Sequence, residues 1–258
     1  MENAFTQHHA VVIGINAYTG GVAPLYTAVN DARAVGAALA ESHGFSVTTV
    51  LDDQATGAGL LELFEETLPA QVGADDRVLV YFAGHGIALD GEDGPQGYLV
   101  PQDAAPEGRE TLIPMSRLHA ALEGLDCRHM LLVLDCCFAG SFRWATTRSF
   151  VPVEQVLYEK RFQRFLADPA WQVLTSAADD QTALDAIGGL RINKRDGSVE
   201  QKANGHSPFA AFLLSALSGE ADLSGAKGQR DGVVSAAELY LYLRDHLETA
   251  AADYGKMQ

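Results

Sequence analysis

Cysteine is scarce in this chain. Cys127, Cys136 and Cys137 are the three present in 258 residues. With two of them adjacent they make no disulfide framework, and they fit a reducing compartment where a thiol survives, so a cytoplasmic location is expected. Basic side chains are also few: 18 Lys and Arg stand against 34 Asp and Glu, a formal charge of −16. Phosphate backbones are bound through clustered Lys and Arg that displace counterions, so the balance argues against nucleic acid as a partner and admits basic peptides. Long apolar runs are missing too. No stretch reaches the roughly 18 apolar residues of a membrane span, and MENAFTQHHAVVIGI at the N-terminus has no basic segment ahead of its short hydrophobic run, so neither membrane nor secretory signal is expected.

What is present is enough hydrophobic material, 47% of residues, to bury a substantial core, and the length suits one domain over residues 1–258. HAVVIGI (9–15), FSVTTVL (45–51), RVLVYFA (77–83), HMLLVLD (129–135) and WQVLTSA (171–177) are short aliphatic runs of the kind found in strands covered on both faces. AVNDARAVGAALAESHG and GLLELFEETLPAQV lie between them with helical spacing. The alternation predicts an α/β domain with a mostly parallel central sheet and helices on both faces, in which ligands bind at the carboxyl ends of strands. From about residue 138 to 170 the pattern lapses and the chain reads as a long basic connection, with a short helix over 154–166. GGLRINKRDGSVEQKANGHS (188–207) reads as a hairpin around Asp196 and Gly197 or a mobile loop. Two helices close the chain, one capped by Ser207 with Pro208 at its first position, the other opened by Ser235 and Glu238 at capping-box spacing.

Two segments carry chemistry. YFAGHG (81–86) places His85 just past one hydrophobic run, and DCCFAG (135–140) places Cys137 just past another, 52 positions later. A base and a thiol can therefore meet at one sheet edge, where the imidazole would convert the thiol to the nucleophilic thiolate. Cys136 competes on sequence grounds, because neighbouring residues of a strand point to opposite faces. Cys127 has no partner motif and reads as structural, and the other seven histidines read as surface or core residues.

These residues and their spacing resemble the caspase and metacaspase family of cysteine peptidases. DCCFAG is closer to the D-x-C-x-x-G of metacaspases and bacterial caspase-like proteins than to the Q-A-C-x-G of animal caspases. The resemblance implies a caspase-like three-layer sandwich, with a large-subunit-like part at 1–142, a linker at about 143–170 and a small-subunit-like part at 171–258. It makes Cys137 the nucleophile, His85 its base, and the backbone amides of Gly86 and Cys137 the oxyanion hole. It also implies an acidic pocket of Asp31, Asp135, Asp179 and Asp180 that selects Arg or Lys before the cleaved bond. Ala83 departs from the family, which usually has Ser there.

The implied activity is a cysteine endopeptidase of bacterial stress, cell-death or defence pathways, needing no cofactor for its chemistry. It would act on protein or peptide substrates and be activated, as a zymogen, by processing or by an activating or inhibitory protein partner. Candidate self-cleavage positions are Arg143, Arg148, Lys160, Arg161 and Arg164, in a stretch (143–164) with 5 basic and 2 acidic side chains, against 5 and 19 over residues 1–142. Calcium is required by many metacaspases. DGEDG (90–94) is a shortened acidic run, read as a solvated turn. KGQRDGVVSAAE (227–238) resembles an EF-hand loop but has Lys227 and Gln229 where Asp or Asn should ligate, so no metal site is assigned. The alternatives are a catalytically idle caspase-like interaction module and a calcium-binding regulator.

Overall fold

The aliphatic runs form strands where the sequence places them. The computed structural model describes residues 5–91, 94–105, 108–136, 166–176, 190–192, 199–201, 205–222, 230 and 232–255, with backbone alone for 190–192, 199–201 and 251–255. Strands β1 (His8–Gly14), β2 (Ser46–Leu51) and β3 (Arg77–Ala83) join two later strands, β7 (His129–Asp135) and β8 (Ala170–Thr175), in a five-stranded sheet of order β2-β1-β3-β7-β8. Every pairing in it is parallel.

Alternation along each strand sends side chains to two separate cores. One face carries Val11, Ile13, Val80, Phe82, Leu132 and Leu134, packed with Leu60, Phe64, Leu118 and Leu122. These last come from α2 (Gly57–Glu62), which runs on through a π-helical turn into α3 (Leu68–Gln71), and from α4 (Met115–Glu123). The other face carries Ala10, Val12, Tyr81 and Val133, packed with Ala32, Val35, Leu213 and Leu243. Those come from α1 (Ala28–His43), α5 (Pro208–Ser215) and α6 (Ala236–Gly255). The result is three layers, helices over both faces of the sheet.

Helix α1 sits close because its inner stripe is small. A Cβ on Gly14 would lie 2.5 Å from the Ala28 carbonyl oxygen and 2.8 Å from the Ala32 Cβ. Gly14→Ala is therefore expected to push α1 off the end of β1 and cost about 1–3 kcal/mol, measured as a lower urea midpoint with an unchanged slope. The helix stops at Gly44, in the left-handed region (φ 68°), whose N–H closes on the Leu39 carbonyl.

An excursion between β3 and β7 was not foreseen. β4 (Gly86–Gly91), β5 (Gly94–Leu99) and β6 (Ile113–Pro114) make a small antiparallel sheet, in which Gly91 and Gly94 of the DGEDG segment stand opposite each other. Arg109 ties it together, donating to Tyr98 Oη from Nη2 (2.6 Å) and to the Asp90 carbonyl from Nη1 (3.5 Å). The second hairpin is present as β9 (Leu190–Ile192) paired antiparallel with β10 (Val199–Gln201). The 154–166 helix lies, apart from its last residue, outside the described residues. Among the described residues no helix is long and apolar enough to cross a membrane.

Candidate functional site

The strand order reverses direction between β1 and β3: the chain leaves β1 for β2 on one side and returns to β3 on the other. Loops leaving the carboxyl ends of those two strands therefore diverge and open a crevice, where ligands of parallel sheets bind. His85 lies two residues past β3, and the loop past β1 folds over it. The His85 ring nitrogen Nε2 is 2.8 Å from the Ala23 carbonyl oxygen. A carbonyl only accepts, so Nε2 carries the proton and Nδ1 of the neutral ring is left as the acceptor. The tautomer suited to a base is thus set by the backbone.

Tyr18, on the same loop, holds the other side. Its hydroxyl accepts the His85 backbone N–H at 2.8 Å, and the two rings lie 5.0 Å apart at 44°. In the β4–β5 ladder Val100 N–H donates to the His85 carbonyl at 3.1 Å, and Gly86 stands opposite Leu99. Hydrogen-bonded and non-bonded pairs alternate in an antiparallel ladder, so Gly86 falls at a non-bonded pair and its N–H points away from β5. That amide is thereby left for another acceptor.

Ala83 at the end of β3 pairs with Asp135 at the end of β7, and Gly84 N–H reaches the Asp135 carbonyl at 3.4 Å. Cys137, two residues past Asp135 as His85 is two past Ala83, lies outside the described residues. So do Asp179, Asp180, Arg143, Arg148, Lys160, Arg161 and Arg164. Cys136 is described. It is 1% exposed and packed in the same core as Leu132 and Leu134, closed to a peptide. Cys127 is buried as well, and burial raises its thiol to about 11, an inert structural cysteine.

Asp31 and Asp135 are brought together from α1 and β7, both buried. The segment entering α5 spans them. His206 Nδ1 is 2.6 Å from Asp31 Oδ1, Ser207 N–H donates to Asp31 Oδ2 (3.2 Å), and Ser207 Oγ donates to Asp135 Oδ2 (2.7 Å) while capping the helix by accepting from Ala210 N–H (3.0 Å). Tyr81, whose phenol burial keeps protonated, donates to Asp135 Oδ2 from beneath (3.4 Å). Burial pushes the Asp135 carboxyl up to about 7, with the Asp31 charge acting the same way and the Ser207 hydrogen bond opposing it. Burial also raises Asp31, against the His206 and Ser207 hydrogen bonds. The two carboxyls thus share one buried polar cluster in which burial favours their neutral forms.

Sequence reasoning read Ser207 as a cap, which it is, and His206 as a residue without context. Neither Tyr18, Tyr81 nor the Ala23 carbonyl was singled out. The one signal on offer was the polar pair His206–Ser207 immediately before the apolar helix of residues 208–215. Among the described residues no group of three or more His, Cys, Asp or Glu is arranged to hold a metal ion. Glu238 is engaged in the foreseen capping box, accepting from Ser235 N–H (2.8 Å) and Ser235 Oγ (2.7 Å).

A family model described as Caspase domain matches residues 7–248 of the chain. A Geobacter sulfurreducens protein, whose crystal structure was solved as a structural-genomics target, superposes with a TM-score of 0.54 at 18% identity, over 83% of this chain and 82% of that one. It shares the fold. No match was found among curated proteins.

Proposed function

From the premise that this chain belongs to the caspase-domain family, whose model spans residues 7–248, we propose that it is a cysteine endopeptidase acting through Cys137 and His85 and cleaving after Arg or Lys. The observation that carries the reading is His85 at the switch point of the sheet, its Nε2 proton committed to the Ala23 carbonyl, at the end of the strand next to the one that leads into Cys137.

Nδ1 of His85 takes the Cys137 proton, and the thiolate adds to the scissile carbonyl. Negative charge builds on the carbonyl oxygen, which the N–H groups of Gly86 and Cys137 receive. Collapse of the tetrahedral species expels the amine with the proton that His85 holds, leaving a thioester. Water, deprotonated by the same ring, then releases the acid and regenerates the thiol. Asp31 and Asp135, joined by Asp180 with Asp179 beside it, supply the negative charge for a guanidinium or ammonium, which repels an acidic side chain at that position.

Fluorogenic peptides ending in Arg, Lys or Asp, incubated with and without calcium, test this. Release from the Arg and Lys peptides, at least about 100-fold faster than from the Asp peptide, is the expected result. Equal rates on all three would retire the basic pocket, and no turnover under any condition would retire the peptidase. The same incubations run on a gel report whether the chain is cut at Arg143, Arg148, Lys160, Arg161 or Arg164. A chain that stays intact while substrate is consumed removes processing as its route of activation.

A further inference from the structure

The loop between β1 and α1 is built around a carboxylate that does not reach the site. Asp52, just past β2, has φ 41°, the single positive φ of a non-glycine among the described residues. Left-handed backbone is costly for most side chains and persists where surrounding structure demands it. Here the conformation turns the carboxylate back toward the neighbouring strand's exit, where Asp52 Oδ1 accepts the N–H groups of both Asn16 (2.8 Å) and Ala17 (2.9 Å). The loop is fixed further on by Gln102, whose Nε2 donates to the Ala17 carbonyl (3.0 Å) and whose carbonyl accepts from Thr19 N–H (3.0 Å). Asn16 closes it, accepting from Leu25 N–H at its carbonyl (3.0 Å) and from Val29 N–H at Oδ1 (3.2 Å). Between those anchors stand the Tyr18 hydroxyl and the Ala23 carbonyl, the two groups that grip His85.

We propose that Tyr18 and Asp52 are positioning residues for His85: Tyr18 directly, by taking the backbone N–H that would otherwise pair with the Val100 carbonyl, and Asp52 remotely, by holding the loop that carries both contacts. The inference rests on the Cys137–His85 reading. Tyr18 acts on two catalytic elements at once, because diverting the His85 amide sets the path of the chain into Gly86. Asp52 acts through the N–H groups of Asn16 and Ala17, and its charge is not needed for this. A neutral side chain with one accepting oxygen and tolerance of left-handed backbone would serve, which describes Asn.

The test uses Tyr18→Phe, Asp52→Gly, Asp52→Asn and His85→Ala in the full chain. Asp52→Gly removes the carboxylate while tolerating the left-handed backbone, and Asp52→Asn keeps an acceptor. Two readouts are taken: steady-state kinetics on an Arg peptide, and the pH profile of iodoacetamide alkylation at Cys137, located by peptide mapping, which needs no turnover. Tyr18→Phe and Asp52→Gly are expected to lower kcat by about 10- to 100-fold with KM within about twofold, the loss that a misplaced reacting group produces. Both should also move the alkylation profile upward toward the ordinary thiol range near 8.5. Asp52→Asn should stay within about threefold of wild type in kcat and keep its profile. If His85→Ala shifts the alkylation profile while Tyr18→Phe and Asp52→Gly leave kcat and profile at wild-type values, the positioning roles are overturned and the dyad stands. If His85→Ala leaves the profile unmoved, the dyad itself fails and the inference with it. A loss of kcat in Asp52→Asn equal to that in Asp52→Gly would also overturn the role given to the accepting oxygen.

Discussion

Cys137→Ala should abolish turnover of Arg and Lys peptides, by on the order of 10⁴-fold or more, and His85→Ala should lower it by about 10²- to 10⁴-fold. The double variant should be no slower than Cys137→Ala alone. On the proposed mechanism thiol and imidazole act as one unit: without sulfur there is no thioester to form, and the ring then has no proton to relay. Independent contributions would instead multiply, so additivity in the double variant would sink the dyad. Binding should survive if Asp31 and Asp135 receive the substrate's cation as proposed, because the substitution leaves both carboxyls in place. An inhibitory effect of Cys137→Ala protein on wild-type turnover of a scarce substrate would report that retained affinity.

The second large effect concerns stability and has the opposite sign for function. Asp135 is buried, and its carboxyl is pushed from 3.8 to about 7 mainly by that burial. Between those values the folded chain holds a proton that the unfolded chain has released, so stability falls as pH rises through the window. Its contribution is fully present below pH 3.8 and is lost above about 7. At about 1.4 kcal/mol per pKa unit, three units correspond to a cost of about 4 kcal/mol in the ionised state, and Asp31, raised for the same reason, adds in the same direction. Asp135→Asn should accept the Ser207 hydroxyl and Tyr81 phenol without the charge. Chemical unfolding at pH 4 and pH 8 should then show the variant more stable than wild type by about 2–4 kcal/mol at pH 8, with little difference at pH 4, near the unfolded-state value of 3.8. If the proposed basic specificity holds, the same variant should lose about 10- to 1000-fold in kcat/KM on Arg peptides, since an arriving guanidinium would ionise a carboxyl that Asn cannot replace. A variant no more stable than wild type at pH 8 would show that Asp135 is not held in a charge-averse site.

The family resemblance suggested that Asp31 and Asp135 share a pocket, but their burial under Ser207 was not legible in the sequence, and the reason is geometric. Asp31 and Asp135 are 104 positions apart, and Ser207 a further 72. Their meeting depends on β1 and β7 flanking β3 and on α5 docking across the rim. No local pattern encodes those adjacencies. His206 illustrates the gap best: as a residue it is one histidine among eight, and as a position it is the group lying against Asp31.

The small sheet of β4, β5 and β6 escaped notice for a different reason. GIALDG and GPQGYL are rich in glycine and short of β-branched residues, and their pairing is held by the hairpin and by Arg109 rather than by alternation. The two cores were legible, because every residue of Val11–Ile13, Val78–Phe82 and Met130–Leu134 is hydrophobic, a continuous run of the kind that a doubly covered strand supports.

Sequence alone therefore determined the layers, the parallel strands, the family resemblance and the place of His85 at a strand exit, because short-range periodicity and turn residues are written in neighbouring positions. The tertiary structure alone decided which ring nitrogen of His85 keeps its proton, which loop holds that ring, and how two acidic groups come to share one buried site. Those depend on distances between segments far apart in the chain, and such distances are set by how strands are ordered and helices packed.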